Sequence, residues 1–375
     1  MKKVFVLVAM ALLLVSCGGK KVRLIDAAKF NKEVDGKQVS LYTMHNGDIT
    51  MQVTNYGGRV VALWAPDKRG RFADVVLGYD NIDNYLDNPG ERYLGAVVGR
   101  CANRIANGSF QLDSVTYQLP KNDGNNTLHG GELGTDRVVW DVVSTNDSAM
   151  VMHVVLPDGQ DGFPGNLDIT MTYTLTSDNA FRIDYLATTD KPTLCNLSNH
   201  SFFNLNGEGK TVLDHQLQII SPWALPINES MIPTGDFITV KGTPFDFNTM
   251  HAIGDRIDEN NAQLTKGHGY DHNWIINSAV GGKIVKAATL FDPKSGRKMD
   301  VYSNQIGLQF YSGNFFDGKT KGKRGNHIYR GAVALETQNF PDAIHQENFS
   351  IKSVLNPGEE YKHTCIYKFS VENGK

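Results

Sequence analysis

Asp168-Ile-Thr-Met-Thr-Tyr-Thr-Leu175 alternates polar and apolar side chains along its whole length. Successive side chains of a strand point to opposite faces, so a period of two reads as a half-buried strand. An amphipathic helix would repeat near 3.6. The same period recurs next door in Phe181–Tyr185, and further out in Ile49–Asn55 and Tyr361–Phe369. Shorter apolar or alternating runs fill much of the space between: Arg59–Trp64, Val75–Leu77, Val138–Val143, Met150–Leu156, His215–Ile220, Ile284–Phe291, Lys298–Tyr302, Leu308–Tyr311 and Ala332–Glu336. Turn residues punctuate them, among them Pro66-Asp67, Asn107-Gly108, Asp123-Gly124, Pro164-Gly165, Ser295-Gly296 and Asn356-Pro357-Gly358. Only two short helical stretches suggest themselves, Asn81–Leu86 with Asp80 as its cap and Ala252–Asp258. Many antiparallel strands with no strand–helix alternation predict an all-β fold, a large antiparallel β-sandwich. No linker-like segment divides residues 39–375, which read as a single domain.

The chain has 375 residues, 41% hydrophobic and 21% charged, a balance that suits a soluble globular domain with a sizeable core. Its net charge of −3 and the lack of a dense Lys/Arg tract argue against a nucleic-acid partner. The N-terminus has its own signature. Lys2 and Lys3 precede the apolar run Val4–Val15, then come Ser16 and Cys17. The pattern predicts a signal peptide over residues 1–16, similar to bacterial lipoprotein signals, with Cys17 as the lipidated residue. Residues 17–38 would form a tether or N-terminal arm. The expectation is an exported protein, lipid-anchored in the bacterial envelope, facing the periplasm from the outer membrane and touching membrane only through its lipid. Cys101, Cys195 and Cys365 are too few and too scattered for a disulfide framework, and read as buried small hydrophobes.

Five stretches concentrate polar groups at the ends of apolar runs. Asn196-Leu-Ser-Asn-His-Ser-Phe-Phe-Asn-Leu-Asn-Gly207 sets His200 among asparagines and aromatics. Val98-Gly-Arg-Cys-Ala-Asn-Arg-Ile105 packs two arginines and an asparagine together, and Arg100 taken alone reads as structural. Asn125-Asn-Thr-Leu-His-Gly-Gly131 places His129 in a turn. Gly267-His-Gly-Tyr-Asp-His-Asn-Trp274 puts Asp271 beside aromatics, a pairing that suits sugar C–H faces and hydroxyls. Its two histidines four apart would face a metal only on a helix, which Gly267 and Gly269 oppose. Gly331-Ala-Val-Ala-Leu-Glu336 ends an apolar strand on a carboxylate, which is unfavourable in a core unless hydrogen-bonded or in use. Gly207-Glu-Gly-Lys-Thr211 lacks the first glycine and following helix of a phosphate loop and reads as a hairpin turn.

The order and spacing of Gly99-Arg-Cys-Ala-Asn-Arg-Ile, Asn126-Thr-Leu-His-Gly-Gly, Asn196-Leu-Ser-Asn-His-Ser-Phe-Phe-Asn-Leu, Gly269-Tyr-Asp-His-Asn, Gly307-Leu-Gln-Phe-Tyr-Ser-Gly-Asn and Leu335-Glu-Thr-Gln-Asn-Phe-Pro-Asp resemble the aldose 1-epimerase (galactose mutarotase) family. The resemblance runs from about residue 39 to 370. It implies a galactose mutarotase-like supersandwich that interconverts the α and β anomers of free aldohexoses of the glucose and galactose type. It implies Glu336 as general base and His200 as general acid. Asn103, Arg104, His129, Ser201, Phe202, Asp271 and Gln309 would bind the sugar. No cofactor and no metal is implied, and the only partner is a small aldose. The protomer is expected to be a monomer or a weak dimer.

Anomer exchange needs a base for the O1 proton and an acid for the ring oxygen, so the reacting pair is ionised Glu336 and protonated His200. Three other readings compete: a glycosidase using Asp271 and Glu336 as a carboxylate pair, a non-catalytic carbohydrate-binding module, and a related mutarotase for sugar phosphates, which would want extra basic residues such as Arg100 and Arg104 in the pocket. Cleavage of a disaccharide would mark the first, and binding without rate change the second.

Overall fold

The computed structural model describes residues 22–276 and 279–372. The signal segment and Cys17 lie outside them. A nine-stranded antiparallel sheet forms one wall. Its strands run in the order Asp141–Thr145, Ala149–Leu156, Leu167–Leu175, Ala180–Thr189, Tyr361–Val371, Arg297–Ser303, Val285–Phe291, Gln216–Ile219 and His251–Ala252. A six-stranded sheet lies within the same core, in the order Phe202–Phe203, Val333–Gln338, Gly307–Tyr311, Asp271–Ile275, Trp223–Leu225 and Ile238–Thr239. Leu41–Asn46, Ile49–Thr54, Arg59–Pro66 and Phe72–Asp74 make a four-stranded sheet. Every ladder between these strands is antiparallel, as the alternation predicts. One apolar cluster joins all three sheets: Met51 and Val53, then Ile169, Met171 and Tyr173, then Trp274, Phe310 and Leu335. Full burial of each such side chain contributes about 1.5–3 kcal/mol.

Two predicted strands are displaced. At Val75–Leu77 the ladder has already ended at Asp74, whose carboxylate accepts from the Leu63 and Val76 N–H groups at 3.1 and 3.4 Å. Val76 then makes only an isolated bridge to Phe203. At Val138–Val143 the strand starts at Asp141, because the preceding residues cross over from the four-stranded sheet: Val139 bridges Tyr56 and Trp140 N–H donates to Asn55 O. The first helix, Ile82–Asp87, is capped by Asn81 rather than Asp80, which instead pairs with Lys29. Ala252–Asp258 shrinks to a single 3₁₀ turn, Ile253–Asp255. A short helix, Ala262–Lys266, was not anticipated. Asn261 accepts from the Gln263 and Leu264 N–H groups at its start and Gly267 closes it.

The described part of the arm is packed against the domain. Phe30 is fully buried, and the hairpin Lys32–Val34 with Lys37–Val39 straddles residue 39. Gly207–Thr211 links two different sheets, so it is not a hairpin. Glu208 there is buried, with His327 Nε2 at 3.1 Å from its carboxylate. Cys101, Cys195 and Cys365 are free and buried. Arg100 is structural: its guanidinium donates to the carbonyls of Leu156, Pro157, Pro164 and Gly165.

Candidate active site

The six-stranded sheet aligns three polar side chains by register. Gln309 stands opposite Glu336 on one side and opposite Asn273 on the other, and Asp271 lies two residues from Asn273 on the same face. The alternate residues Leu335, Phe310, Leu308 and Trp274 point into the core. Period two therefore sends Glu336, Gln309 and Asp271 to the opposite face, where the chain has built a cavity. Gln309 Nε2 donates to Asp271 Oδ1 at 2.7 Å.

His200 comes from the segment leading into the Phe202–Phe203 edge strand. Its N–H donates to Ala96 O at 2.8 Å, and its carbonyl accepts from Gly95 N–H at 3.0 Å. The asparagine-rich surroundings tie this segment to the Glu336 strand. Ser198 Oγ donates to Thr337 O, and Asn196 Oδ1 accepts from Asn339 N–H. The His200 ring lies 4.7 Å from Phe202, 5.1 Å and nearly perpendicular to His129, and 5.9 Å from Tyr93, centroid to centroid. Its Nε2 is 3.5 Å from Glu336 Oε1. His200 Nδ1 and Glu336 Oε2 are buried with no hydrogen-bond partner.

His129 sits in its turn with φ of 51°. Its Nδ1 accepts from the Asn103 N–H at 3.1 Å, so the proton resides on Nε2. The side-chain donor and acceptor atoms of His129, His200 and Glu336 lie within 4.8 Å of one another, a spacing that invites a metal. The tautomer does not suit one: with Nδ1 held as an acceptor, His129 Nε2 offers an N–H rather than a lone pair. It is a donor placed for a hydroxyl oxygen. Arg104 reaches the same cavity with its Nε on Asp123 Oδ2 at 2.7 Å, while Asn103 Oδ1 accepts from Arg104 N–H.

The cavity, of about 100 Å³, is lined by Asn103, Arg104, His129, His200, Asp271 and Glu336, all singled out from sequence. Ser201, Phe202 and Gln309 are buried behind its wall. Ser201 Oγ donates to Asn199 Oδ1 at 2.6 Å, Phe202 packs under the His200 ring, and Gln309 supports Asp271. Sequence reasoning missed Glu91, Tyr93, Leu128, Tyr311 and Phe315, which complete the lining. Tyr311 belongs to a motif already noted, but nothing periodic marks Glu91 and Tyr93, which lie in a connecting segment.

Burial dominates the electrostatics. Desolvation pushes the His200 imidazole down to about 3 and Glu336 well above its usual range, with Asp271 and Glu91 adding to the rise and Arg104 opposing it. Desolvation also raises Asp271 and Glu91, and drives His129 far down. Burial therefore disfavours the ionised form of both Glu336 and His200. The cause is that neither ionised group has enough hydrogen bonds to offset leaving water.

A family model described as Aldose 1-epimerase matches residues 40–368. A galactose mutarotase from Bos taurus is 39% identical over 335 residues, covering 89% of this chain and 94% of that protein. An aldose 1-epimerase from Escherichia coli (strain K12) is 36% identical over 342 residues, covering 90% and 97%. The crystal structure of a galactose 1-epimerase from Lactobacillus acidophilus NCFM superposes with a TM-score of 0.78 at 30% identity, covering 91% and 97% of the two chains. An aldose epimerase homologue from C. elegans superposes with a TM-score of 0.81 at 28% identity, covering 89% and 100%. The chain belongs to the aldose 1-epimerase family, isomerases that interconvert the α and β anomers of aldoses.

Proposed function

We propose that Glu336 and His200 are the acid–base pair of this isomerase, acting on free aldohexoses of the glucose and galactose type. The observation that carries the reading is the 3.5 Å between His200 Nε2 and Glu336 Oε1 inside a buried cavity otherwise lined by hydroxyl-binding groups. O1 and O5 of an aldose are both bonded to C1, so two groups this close reach both oxygens. Ionised Glu336 takes the O1 proton, protonated His200 gives one to O5, and the C1–O5 bond breaks to the open-chain aldehyde. Rotation about C1–C2 exposes the other carbonyl face. Glu336 then returns its proton to O1 while His200 takes back that of O5 and the ring closes. His129 Nε2–H, Arg104, Asn103 and Asp271 hold the hydroxyls. Gln309 orients Asp271, Phe202 props the imidazole, and Ser201 fixes the loop through Asn199.

Opening leaves the proton on Glu336 and the imidazole neutral, the form that burial favours for each group. Bound ring-closed sugar must therefore stabilise the ionised pair, and its hydroxyls are the groups available to do so. Both forms carry one proton between the two residues, so the pair is active wherever that count holds. With unshifted groups it would hold only between the ordinary glutamate and histidine values, roughly pH 4.3 to 6.5. Lowering histidine postpones the second proton to lower pH, and raising Glu336 postpones loss of the last one to higher pH. Polarimetry of freshly dissolved α-anomer across pH tests this. Catalysed exchange should persist undiminished through neutral pH; an optimum confined near pH 5.5 would contradict it.

Anchoring of the enzyme in the envelope through Cys17 is part of the same proposal, supported by the Lys2-Lys3, Val4–Val15, Cys17 pattern.

A further inference from the structure

The three carboxylates in the wall of one small cavity are more than acid–base exchange requires. Glu336, Asp271 and Glu91 all line it. Glu91 Oε1 accepts from the Tyr93 N–H at 2.9 Å, and Asp271 accepts from Gln309 at 2.7 Å. Among the described residues no Lys or Arg forms an ion pair with any of the three. The nearby arginines are engaged elsewhere, Arg104 with Asp123 at 2.7 Å and Arg92 and Arg59 with Asp136 at 2.8 and 3.4 Å, and the His327 ring lies against Glu208 at 3.1 Å. Glu336, which lines the cavity, adds an independent sign of an unmet contact, since its Oε2 is buried and has no hydrogen-bond partner. Arg104 is the one lining residue of opposite sign, and Asp123 already balances it.

We propose that this cavity accepts protonated 2-amino-2-deoxyaldoses as substrates alongside neutral aldoses, and that Glu91 sets its preference for cationic over anionic sugars. The inference rests on the mutarotase reading and adds a substrate class to it. An ammonium offers three donors to the three carboxyl groups of this wall, and its charge offsets their mutual repulsion. A uronate or a sugar phosphate brings further negative charge into the same space. The isomerisation itself is unchanged: the C1–O5 bond breaks and reforms, with no net gain or loss of a proton.

The test compares anomerisation of D-glucosamine, D-glucose and D-glucuronate by the full chain and by Glu91→Gln, reading ratios of kcat/KM so that losses common to all sugars cancel. The wild type should show the order amine and neutral above uronate. Glu91→Gln should lower the amine-to-neutral ratio about three- to tenfold, the range for a contact to a partly exposed charge, and raise the uronate ratio. Should that variant fail to fold, the wild type decides: its amine-to-neutral ratio should fall as pH is raised through the titration of the sugar's ammonium. Ratios that ignore both the substitution and the pH would overturn the proposal. Failure to accelerate any sugar, glucose included, would instead overturn the mutarotase reading beneath it.

Discussion

The nine-stranded and six-stranded sheets are built on the same alternation and use it in opposite ways. Along Leu167–Leu175 every second residue is buried while the others reach solvent. Its neighbours carry ion pairs on that outer face, such as Arg182 with Asp184 and Lys368 with Asp178. Along Val333–Gln338, Gly307–Tyr311 and Asp271–Ile275 every residue is buried. The polar half of the pattern there is buried too: Glu336 and Asp271 line the cavity, Gln309 supports Asp271 from behind, and Glu336, Asn273 and Gln338 carry unsatisfied atoms. Among the strand residues of the larger sheet, only the Tyr185 hydroxyl is left in that condition. A polar stripe at period two thus identifies a strand but not the medium it faces. An unmet polar atom on a residue that also lines the cavity, as on Glu336, marks the part of the stripe that works on a ligand, because leaving such a group bare is otherwise unfavourable.

That contrast can be broken by substitution. The largest effect should come from His200→Gln, which leaves the fold but removes the proton donor. Anomer exchange followed by polarimetry should fall about 10²–10⁴-fold, the range for one positioned acid. A smaller effect is expected from Gln309→Leu. It touches no cavity surface, yet it strips the 2.7 Å donor from Asp271, and kcat/KM should fall about 10- to 100-fold. An unchanged value would mean that Asp271 needs no support. Smallest of all is Arg182→Ala, on the outer face of the nine-stranded sheet. Its pair with Asp184 is partly exposed, so thermal unfolding should shift by no more than about 1 kcal/mol and activity should stay at the wild-type level.

The same contrast explains what could be read from the chain. Strand positions such as Leu167–Leu175 and Ala180–Thr189 follow from local alternation, since nothing distant alters which way a side chain points. His129, His200, Asp271 and Glu336 stood out because polar groups at the ends of apolar runs are conspicuous. The rest depends on contacts made across long sequence separations. Glu91 and Tyr93 reach the cavity only because the connecting segment folds over it. Ser201 and Gln309 spend their polar atoms on Asn199 and Asp271, a choice that only the packed structure reveals. The strand expected at Val75–Leu77 ends early because the Asp74 side chain replaces a ladder acceptor. Burial, invisible in sequence, is also what shifts the titration of Glu336 and His200 in opposite directions.

The most direct measurement takes Glu336→Gln and follows two properties of the same sample, polarimetric anomer exchange and thermal unfolding at pH 4 and pH 7. Desolvation holds the folded carboxyl above its unfolded value, so between the two values the folded state binds the extra proton and stability declines as pH rises. Glutamine removes that penalty. The variant should lose activity about 10²–10⁴-fold and be more stable than wild type at pH 7 by about 1–3 kcal/mol, with a smaller gain at pH 4. Retained anomer exchange, or a variant less stable than wild type at pH 7, would show that Glu336 is a structural residue rather than the base of a cavity kept polar for chemistry.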